Sequence, residues 1–442
     1  MYPASAPFLR PGATVGRIRR AFLFEGILAE LASRMGSGAL FVGYALSLGA
    51  QAPHIGLLSA AKFVGGVGQL GVGALVGKLR SRKKFCLLGL GFSWWTRLAV
   101  ALLPFLLYFG VGRGSLLWLL LILYLVLNML GASVGVVRIS WWGETLPSEE
   151  WGEFLGTRML LARMFGIPVV LAASFFVDRW RSSHPDSPLI FQYILGLGLI
   201  FGLAQILIVR TIPDAPPQGR SSSLPKRLLA PLRRAAYRRF LSFRIGWAFA
   251  VGFAADFFTL YMLKFLGMSF LWTTLVNVLG DMGSMGLARC WGKLADRFGA
   301  RPVLVVGTCA KTLFPLFWVW VMPGWWWVVF LVVLVRCFNS AQQISALQLA
   351  LRLSEGEERE QFIATDRALY HLFRALSPAV AALVAHNLDG WNYIYGPLRF
   401  EVLHILFFIS FLLRLCSLGL LLRVPDSGAS GTRYMLRKLA GG

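Results

Sequence analysis

The ten residues Gly292–Arg301, GKLADRFGAR, join two long apolar segments of the chain. The stretch is basic, is bounded by glycines and contains a single acid, Asp296. We interpret it as a tight hairpin in which one apolar helix leaves the bilayer near Trp291. The next helix re-enters at Pro302, because proline is favoured in the first turn of a helix. Since lysine and arginine concentrate in cytoplasmic loops, the stretch predicts a cytoplasmic connection between two membrane helices.

The composition supports this interpretation. Of 442 residues, 57% are hydrophobic and only 14% are charged, and the mean hydropathy is +0.65. Such a chain is too apolar for a soluble protein and predicts an all-α polytopic membrane protein. The net charge of +24 is spread over loops and helix ends, so we assign it to the positive-inside rule and expect no nucleic-acid partner. The five cysteines have no metal-ligand spacing, and we expect no disulfide.

A membrane helix needs about 20 apolar residues, and the hydropathy divides into twelve such segments. They cover residues 21–48, 54–77, 85–109, 115–142, 157–177, 189–209, 240–263, 268–291, 302–322, 325–350, 361–386 and 400–423. The predicted domains are a cytoplasmic tail at 1–20, a six-helix half at 21–209, a cytoplasmic linker at 210–239, a second six-helix half at 240–423 and a cytoplasmic tail at 424–442. The distribution of basic loops places both termini in the cytoplasm.

Two short repeats indicate that the halves are equivalent. Gly77–Leu79, GKL, recurs as Gly292–Leu294, and Glu149–Thr157, EEWGEFLGT, recurs as Glu357–Thr365, EEREQFIAT. Each copy follows the second predicted helix or precedes the fifth predicted helix of its half. The order and placement of the matches favour duplication of a six-helix unit.

The pattern G-x-L-A-D-R-x-G-x-R resembles the signature loop of the major facilitator superfamily. That resemblance implies twelve transmembrane helices in two pseudo-symmetric six-helix halves and transport by alternating access. It also implies that the loop latches helices during the access change, through Gly292, Asp296, Arg297, Gly299 and Arg301. The first copy departs from the pattern, because Arg80 and Ser81 stand where the alanine and the acid are expected.

Cations at membrane depth are the candidate substrate ligands, because a charge there normally faces a cavity or pairs with another charge. They are Arg34, Arg97, Lys311, Arg336 and Arg374. Several cations around one cavity would suit an anionic substrate. The alternative is that each one bonds neighbouring carbonyls or amide groups such as those of Asn128, Asn339 and Gln342.

Two acids are candidates for proton coupling. Glu30 lies in the first predicted helix and Asp256 in the seventh, both among the helices that line the central cavity in the family that the chain resembles. Burial disfavours a charged carboxyl group and a nearby arginine favours it, so a proton-carrying role is physically open. Structural pairing is the alternative, with Arg34 for Glu30 at an i,i+4 spacing, and with Lys264 or Arg244 for Asp256.

These observations predict a secondary transporter that moves a small organic or amphipathic anion across a bacterial cytoplasmic membrane. We expect a small-molecule substrate, a lipid bilayer around a monomer, and neither a cofactor nor a metal. No nucleophile–base grouping or phosphate-binding loop stands out, so we do not expect an enzyme. The alternative is a transporter-fold protein that does not transport and acts as a membrane sensor, lipid-handling factor or assembly partner. The altered first loop is its main support.

Overall fold

The computed structural model describes residues 13–76, 81–146, 151–185, 187–214, 234–321, 324, 328–353, 359–388, 390–395, 398–425 and 431–439. The part of the predicted linker at 215–233 and the first-loop residues 77–80 lie outside this range, as do the tryptophans at 325–327.

The described chain is almost entirely helical. Its helices are α1 Ala13–Met35, α2 Gly38–Ser47, α3 Ala52–Val76, α4 Arg82–Leu102, α5 Arg113–Thr145, α6 Trp151–Arg181, α7 Leu189–Thr211, α8 Ala235–Phe253, α9 Phe257–Leu260, α10 Phe270–Phe298, α11 Ala300–Thr312, α12 Phe314–Trp320, α13 Val328–Arg336, α14 Asn339–Leu353, α15 Arg359–Asn387, α16 Val402–Leu422 and α17 Thr432–Leu439. A 3₁₀ turn at Leu103–Leu107 extends α4, and a π turn at Tyr261–Phe265 extends α9.

Within the described residues, eight helices are long and apolar enough to cross a membrane. The other predicted membrane segments overlap helices α1, α2, α3, α10, α13 and α14. The first predicted segment is interrupted at Gly36–Ser37, between α1 and α2. Gly38, the first residue of α2, has a φ of +60°, a value that favours glycine. The polytopic membrane class is therefore confirmed, whereas the count of twelve helices and the cytoplasmic termini stay predictions.

The segment Gly292–Arg301 differs from its sequence-based interpretation. Helix α10 continues to Phe298 and α11 begins at Ala300, so most of the predicted loop is helical. The reversal falls on Gly299 alone, which has φ 98° and ψ 158°. That backbone conformation is essentially restricted to glycine, so a single residue replaces a loop.

The all-α prediction has one exception in the described chain. Strands β1 Asn392–Tyr395 and β2 Leu398–Glu401 form an antiparallel hairpin that leads directly into α16. Tyr393 and Ile394 on β1 are largely exposed.

Two compact units divide the chain. The first contains residues 1–49 and 68–222, and the second contains residues 50–67 and 223–442. The start of α3, which the sequence assigns to the first half, thus belongs to the second unit. Each unit has its own core. In the first, Phe22 packs against Trp141 and Phe154, and in the second Tyr237 packs against Phe362.

Candidate functional site

The interior of the second unit holds a cluster of cations, and Lys311 on α11 is the best connected of them. Its ammonium Nζ donates a hydrogen bond to Oε1 of Gln342 at 3.1 Å and lies 5.5 Å from the centroid of the Trp247 ring. The side chain is half-buried, whereas Gln342 and Trp247 are buried. Lys311 was predicted as a ligand with an amide pairing as the alternative, and the structure shows that one amide is indeed its partner.

Arg414 on α16 completes this cluster, and the sequence analysis missed it. It is only 3% exposed, and its Nη1 donates to the backbone oxygen of Lys311 at 2.7 Å. Its guanidinium carbon lies 5.8 Å from the ring centroids of both Trp247 and Phe314. The sequence did indicate this residue, because Arg414 is the only charged residue in the apolar helix from Val402 to Leu422.

Arg374 on α15 is the third cation. Its Nη1 donates to the Tyr370 hydroxyl oxygen at 2.7 Å, and its guanidinium carbon lies 4.6 Å from the ring centroid of Phe63. A β-carbon at Gly252 would lie 2.9 Å from the backbone oxygen of Arg374, so Arg374 packs against α8, the helix that also carries Trp247. Among the described residues, no carboxylate lies within ion-pair distance of these three side chains. We call Lys311, Arg374 and Arg414 the cation triad.

Arg336, the remaining predicted cation of this unit, is compensated. Its Nη2 lies 3.2 Å from Oδ1 of Asp281, and its Nη1 donates to the Asn277 side chain. The side chain passes over Gly280, where a β-carbon would lie 2.7 Å from its Cδ and Nε atoms. The glycine thus leaves room for the arginine, whose charge is balanced by Asp281.

Asp256 pairs with neither residue that the sequence suggested. It follows the break between α8 and α9, and its Oδ1 lies 3.6 Å from Nζ of Lys62 on α3. Arg244 instead forms two hydrogen bonds to Asp366 on α15, of 2.7 and 3.0 Å. The predictions of pairing with Lys264 or Arg244 are wrong, because the partners come from helices distant in sequence.

In the first unit, the predicted ligands have local partners. Glu30 accepts a hydrogen bond of 2.8 Å from Nε of Arg34, so the i,i+4 pair is formed. Arg97 donates to the backbone oxygen of Ala32. The structure brings Arg34 and Glu30 together in this unit, whereas in the other unit Lys311 contacts Gln342 and Trp247, and Arg374 contacts Tyr370 and Phe63. Their roles in substrate binding and coupling stay predictions.

A buried network in the first unit was also missed. Glu25 is fully buried and lies 2.6 Å from Arg138 and 3.2 Å from Arg158, while Gln205 donates to it at 2.7 Å. The arginine at 158 crosses Gly26, where a β-carbon would lie 2.6 Å from its Nε. The sequence showed an acid in the first apolar helix and arginines in later ones, but not which of them meet.

The signature segment of the second unit is tied to three neighbours. Asp296 accepts a 3.0 Å hydrogen bond from Gln348, and Arg301 donates at 2.6 Å to the backbone oxygen of Leu422 at the end of α16. Met435 of α17 is buried in a cluster that includes Phe298 of this segment. The segment therefore joins α10, α14, α16 and α17.

In the first unit, the loop that corresponds to Gly292–Arg301 contacts an acid from another part of the chain. Asp214, just after α7, accepts hydrogen bonds from the Ser81 hydroxyl and from the backbone N–H of Lys83 at 3.1 Å. Lys83 also donates from Nζ to the backbone oxygen of Arg210 at 2.6 Å, as Arg301 does to Leu422. An acid at the end of α7 thus bonds residues 81 and 83, although the first loop has no acid of its own.

Comparisons with known proteins match this arrangement of helices, beginning with the stretch that contains the signature segment. Residues 282–433 match the sequence family described as Major Facilitator Superfamily. A D-xylose-proton symporter superposes with a TM-score of 0.67 at 12% identity, covering 95% of this chain and 100% of that one. The chain has the major facilitator fold. The resemblance seen in GKLADRFGAR is thereby confirmed, without a subfamily.

Other solved structures agree with the major facilitator fold. A mutant of nucleoside transporter NupG superposes with a TM-score of 0.68 at 13% identity, covering 92% of this chain and 100% of that one. The inward-open xylose transporter XylE from E. coli has a TM-score of 0.65 at 14% identity, covering 96% of this chain and 99% of that one. A comparison with curated proteins finds no match. The matched structures are described as transporters rather than enzymes.

Proposed function

We propose that this major facilitator protein is a secondary transporter that moves a small anion across the membrane by alternating access. The observation that carries the proposal is the cation triad of Lys311, Arg374 and Arg414. These three positive charges lie on membrane helices, and no carboxylate pairs with them in the described part of the second unit. The transporters with the same fold support the transport mechanism.

The energetics favour an anion over a neutral or cationic solute. Each uncompensated charge at membrane depth costs a few kcal/mol, and nearby like charges add to that cost. Cation–π contacts with Trp247 and Phe63 offset part of it, about 0.5–2 kcal/mol each. An anion bound beside the triad would offset more, because charge-assisted hydrogen bonds are the strongest that side chains form.

Proton coupling is part of the proposal. Asp256 is half-buried, is 3.6 Å from Lys62 and lies at a break in its helix, so its pairing can change with the helix. Glu30 is paired with Arg34 and is the candidate acid of the first unit. The proton symporter among the structural neighbours supports a proton gradient as the driving force. We propose a bacterial cytoplasmic membrane as the location.

The rival function, a transporter-fold protein that does not transport, loses its main support. It rested on the missing acid of the first loop. Since Asp214 bonds Ser81 and Lys83 in that loop, the hydrogen bonds of an acid are present there after all.

Reconstitution into proteoliposomes tests the proposal. A panel of labelled carboxylates, phosphate esters and organic cations is offered under an imposed proton gradient. We expect gradient-dependent flux of an anion, and at least a tenfold loss of that flux in Lys311→Gln, because a charged hydrogen bond contributes about 1.5–3 kcal/mol. Flux of a cation alone, or no gradient-dependent flux at all, would overturn the proposal.

The matched control is Arg367→Gln. Arg367 lies on α15 two turns before Arg374 but is exposed. This variant also removes one positive charge from a helix of the second unit, but it does not alter the triad. We expect its flux to equal that of the unmodified protein.

A further inference from the structure

The second unit contains an imbalance of charge that a single negative charge does not remove. Three ion pairs, Lys62–Asp256, Arg244–Asp366 and Arg336–Asp281, are internally neutral. Among the described residues, the cation triad has no such partner, so it contributes three positive charges. An anion with one negative charge would leave two of them uncompensated, at the cost that insertion scales assign to charges in a membrane.

Hydrogen-bond donors accompany these charges. Buried nitrogen atoms without a partner include Nε of Arg374, Nε of Arg414 and Nε2 of Gln342. The other amide atom of Gln342 is already taken, because its Oε1 accepts from Lys311. Nε of Arg374 and Nε2 of Gln342 can only donate, so a ligand that satisfies both must present at least two acceptor oxygens.

In the described part of the second unit, the surroundings of the triad are aromatic and supply no carboxylate at ion-pair distance. Lys311 and Arg414 both lie within 5.8 Å of the buried Trp247 ring, and Arg374 lies over Phe63. Lys311 and Arg374 are half-buried, whereas Arg414 is almost fully buried and bonds the backbone oxygen of Lys311. Of the three cations, Lys311 and Arg374 are therefore the more accessible to a ligand, and Arg414 adds positive potential beside Lys311.

We propose that the cation triad binds an oxyanion that carries two or more negative charges, a phosphate monoester or a di- or tricarboxylate. Arg374 supplies a planar pair of donors that matches a carboxylate or phosphate edge, and Lys311 supplies a point charge. Arg414 increases the positive potential at the site without contacting the ligand. This added potential favours a ligand with a second negative charge. This inference rests on the transport function proposed above and names its substrate class.

Isothermal titration calorimetry on the purified full chain tests the charge preference. The probes are inorganic phosphate, phosphoglycerate, succinate and citrate, with acetate and lactate as monovalent references at constant ionic strength. We expect divalent or trivalent anions to bind about tenfold tighter than the monovalent references, because each further charged contact contributes about 1.5 kcal/mol or more. Comparison of the phosphate probes with the carboxylate probes shows which of the two classes of anion the site binds.

Variants show whether the triad carries that preference. Arg414→Gln is expected to reduce affinity for the divalent anions about tenfold and to change acetate binding less, whereas Lys311→Arg keeps the preference. Arg367→Gln is the control and should bind as the unmodified chain does. Because Arg414→Gln could fail to fold, Arg414→Lys serves as a second variant and should retain the preference for divalent anions.

Equal affinity for monovalent and divalent anions, or no binding of any probe, would overturn the inference. Flux of a monovalent anion in proteoliposomes without binding of divalent ones would overturn it while leaving the proposed transport intact. Flux of a cation alone would contradict the transport proposal itself, so the two failures are distinguishable.

Discussion

The two units bury the same ion pair with opposite polarity. In the first unit, the acid Glu25 lies on α1 and the base Arg158 on α6; in the second, the base Arg244 lies on α8 and the acid Asp366 on α15. Arg158 directly follows the first copy of the sequence repeat, and Asp366 directly follows the second. Arg158 and Asp366 thus occupy the same position relative to the repeat, although their charges are opposite.

Other contacts follow the same repeat. Phe154 and Phe362 occupy the same repeat position, and each packs against an aromatic residue of its unit's first helix, at 6.5 Å from Phe22 and 4.4 Å from Tyr237. The units differ in what surrounds the pair. Glu25 also pairs with a second arginine, Arg138. In the second unit, by contrast, the additional cations form the cation triad.

The largest effect that this comparison predicts is for Glu25→Gln. It leaves two buried arginines uncompensated, so we expect a loss of about 3–5 kcal/mol in the free energy of unfolding. Asp366→Asn leaves one and should cost less. Denaturant unfolding in detergent, followed by tryptophan fluorescence, measures both. The control is Glu153→Gln, which removes an exposed pair with Arg19 and should change stability by less than about 1 kcal/mol. A larger loss for Asp366→Asn would contradict the comparison.

Exchanging the acid and the base of the Arg244–Asp366 pair tests whether the second unit accepts the pair in either orientation. Asp366→Arg alone places two cations together and should lower the unfolding free energy by about 3–5 kcal/mol. Adding Arg244→Glu gives the polarity of the first unit and should recover at least half of that loss. A double-mutant cycle on the same unfolding assay measures the coupling. If the double variant is no more stable than Asp366→Arg, the polarity is fixed by its surroundings and the comparison fails.

The glycines of GKLADRFGAR should respond in opposite directions. Gly299→Ala forces a side chain into a conformation restricted to glycine and should cost about 1–3 kcal/mol. Gly292→Ala lies inside α10 with open space around its β-carbon, and should raise stability by about 0.5–1 kcal/mol. Thermal unfolding of the two variants side by side measures both. Equal losses would mean that the turn is not confined to Gly299.

The smallest effect concerns the acids of the two loops. Asp296→Asn weakens the contact with Gln348, and Asp214→Asn weakens those with Ser81 and Lys83. We expect each to shift the ratio of inward- to outward-accessible states by roughly two- to tenfold, because exposed hydrogen bonds contribute little. Labelling of single cysteines from each side of the membrane measures the ratio. A shift from Asp296→Asn alone would show that Asp214 does not replace the missing acid.

The sequence predicted the fold better than the site, for physical reasons. Hydropathy depends on local composition, so the apolar segments and helices agree closely; the segment predicted at 189–209 is the helix Leu189–Thr211. The sequence analysis missed the interruption before Gly38 in its first predicted helix. Hydropathy shows that the segment is apolar, but it does not show where the helix is interrupted. The i,i+4 pair Glu30–Arg34 was predicted because both partners share one helix.

Partners on different helices could not be predicted in that way. Asp256 meets Lys62 and Arg244 meets Asp366 across long separations in sequence, and nothing local specifies which helices are neighbours. Arg414 could have been found, because a single arginine in an apolar helix is costly and indicates a function. The acid Asp214 could not, because it lies outside the repeat that marks the loop.

Counterflow of a labelled anion tests the central claim most directly, because exchange needs only a binding site and alternating access and no energy source. Proteoliposomes loaded with an unlabelled divalent anion are diluted into a trace of the labelled one. We predict transient accumulation of label by the unmodified chain and by Arg367→Gln, and at least a tenfold smaller accumulation by Lys311→Gln. Accumulation that is unchanged in Lys311→Gln, or absent from the unmodified chain for every anion, would contradict the assignment of the cation triad as the substrate site.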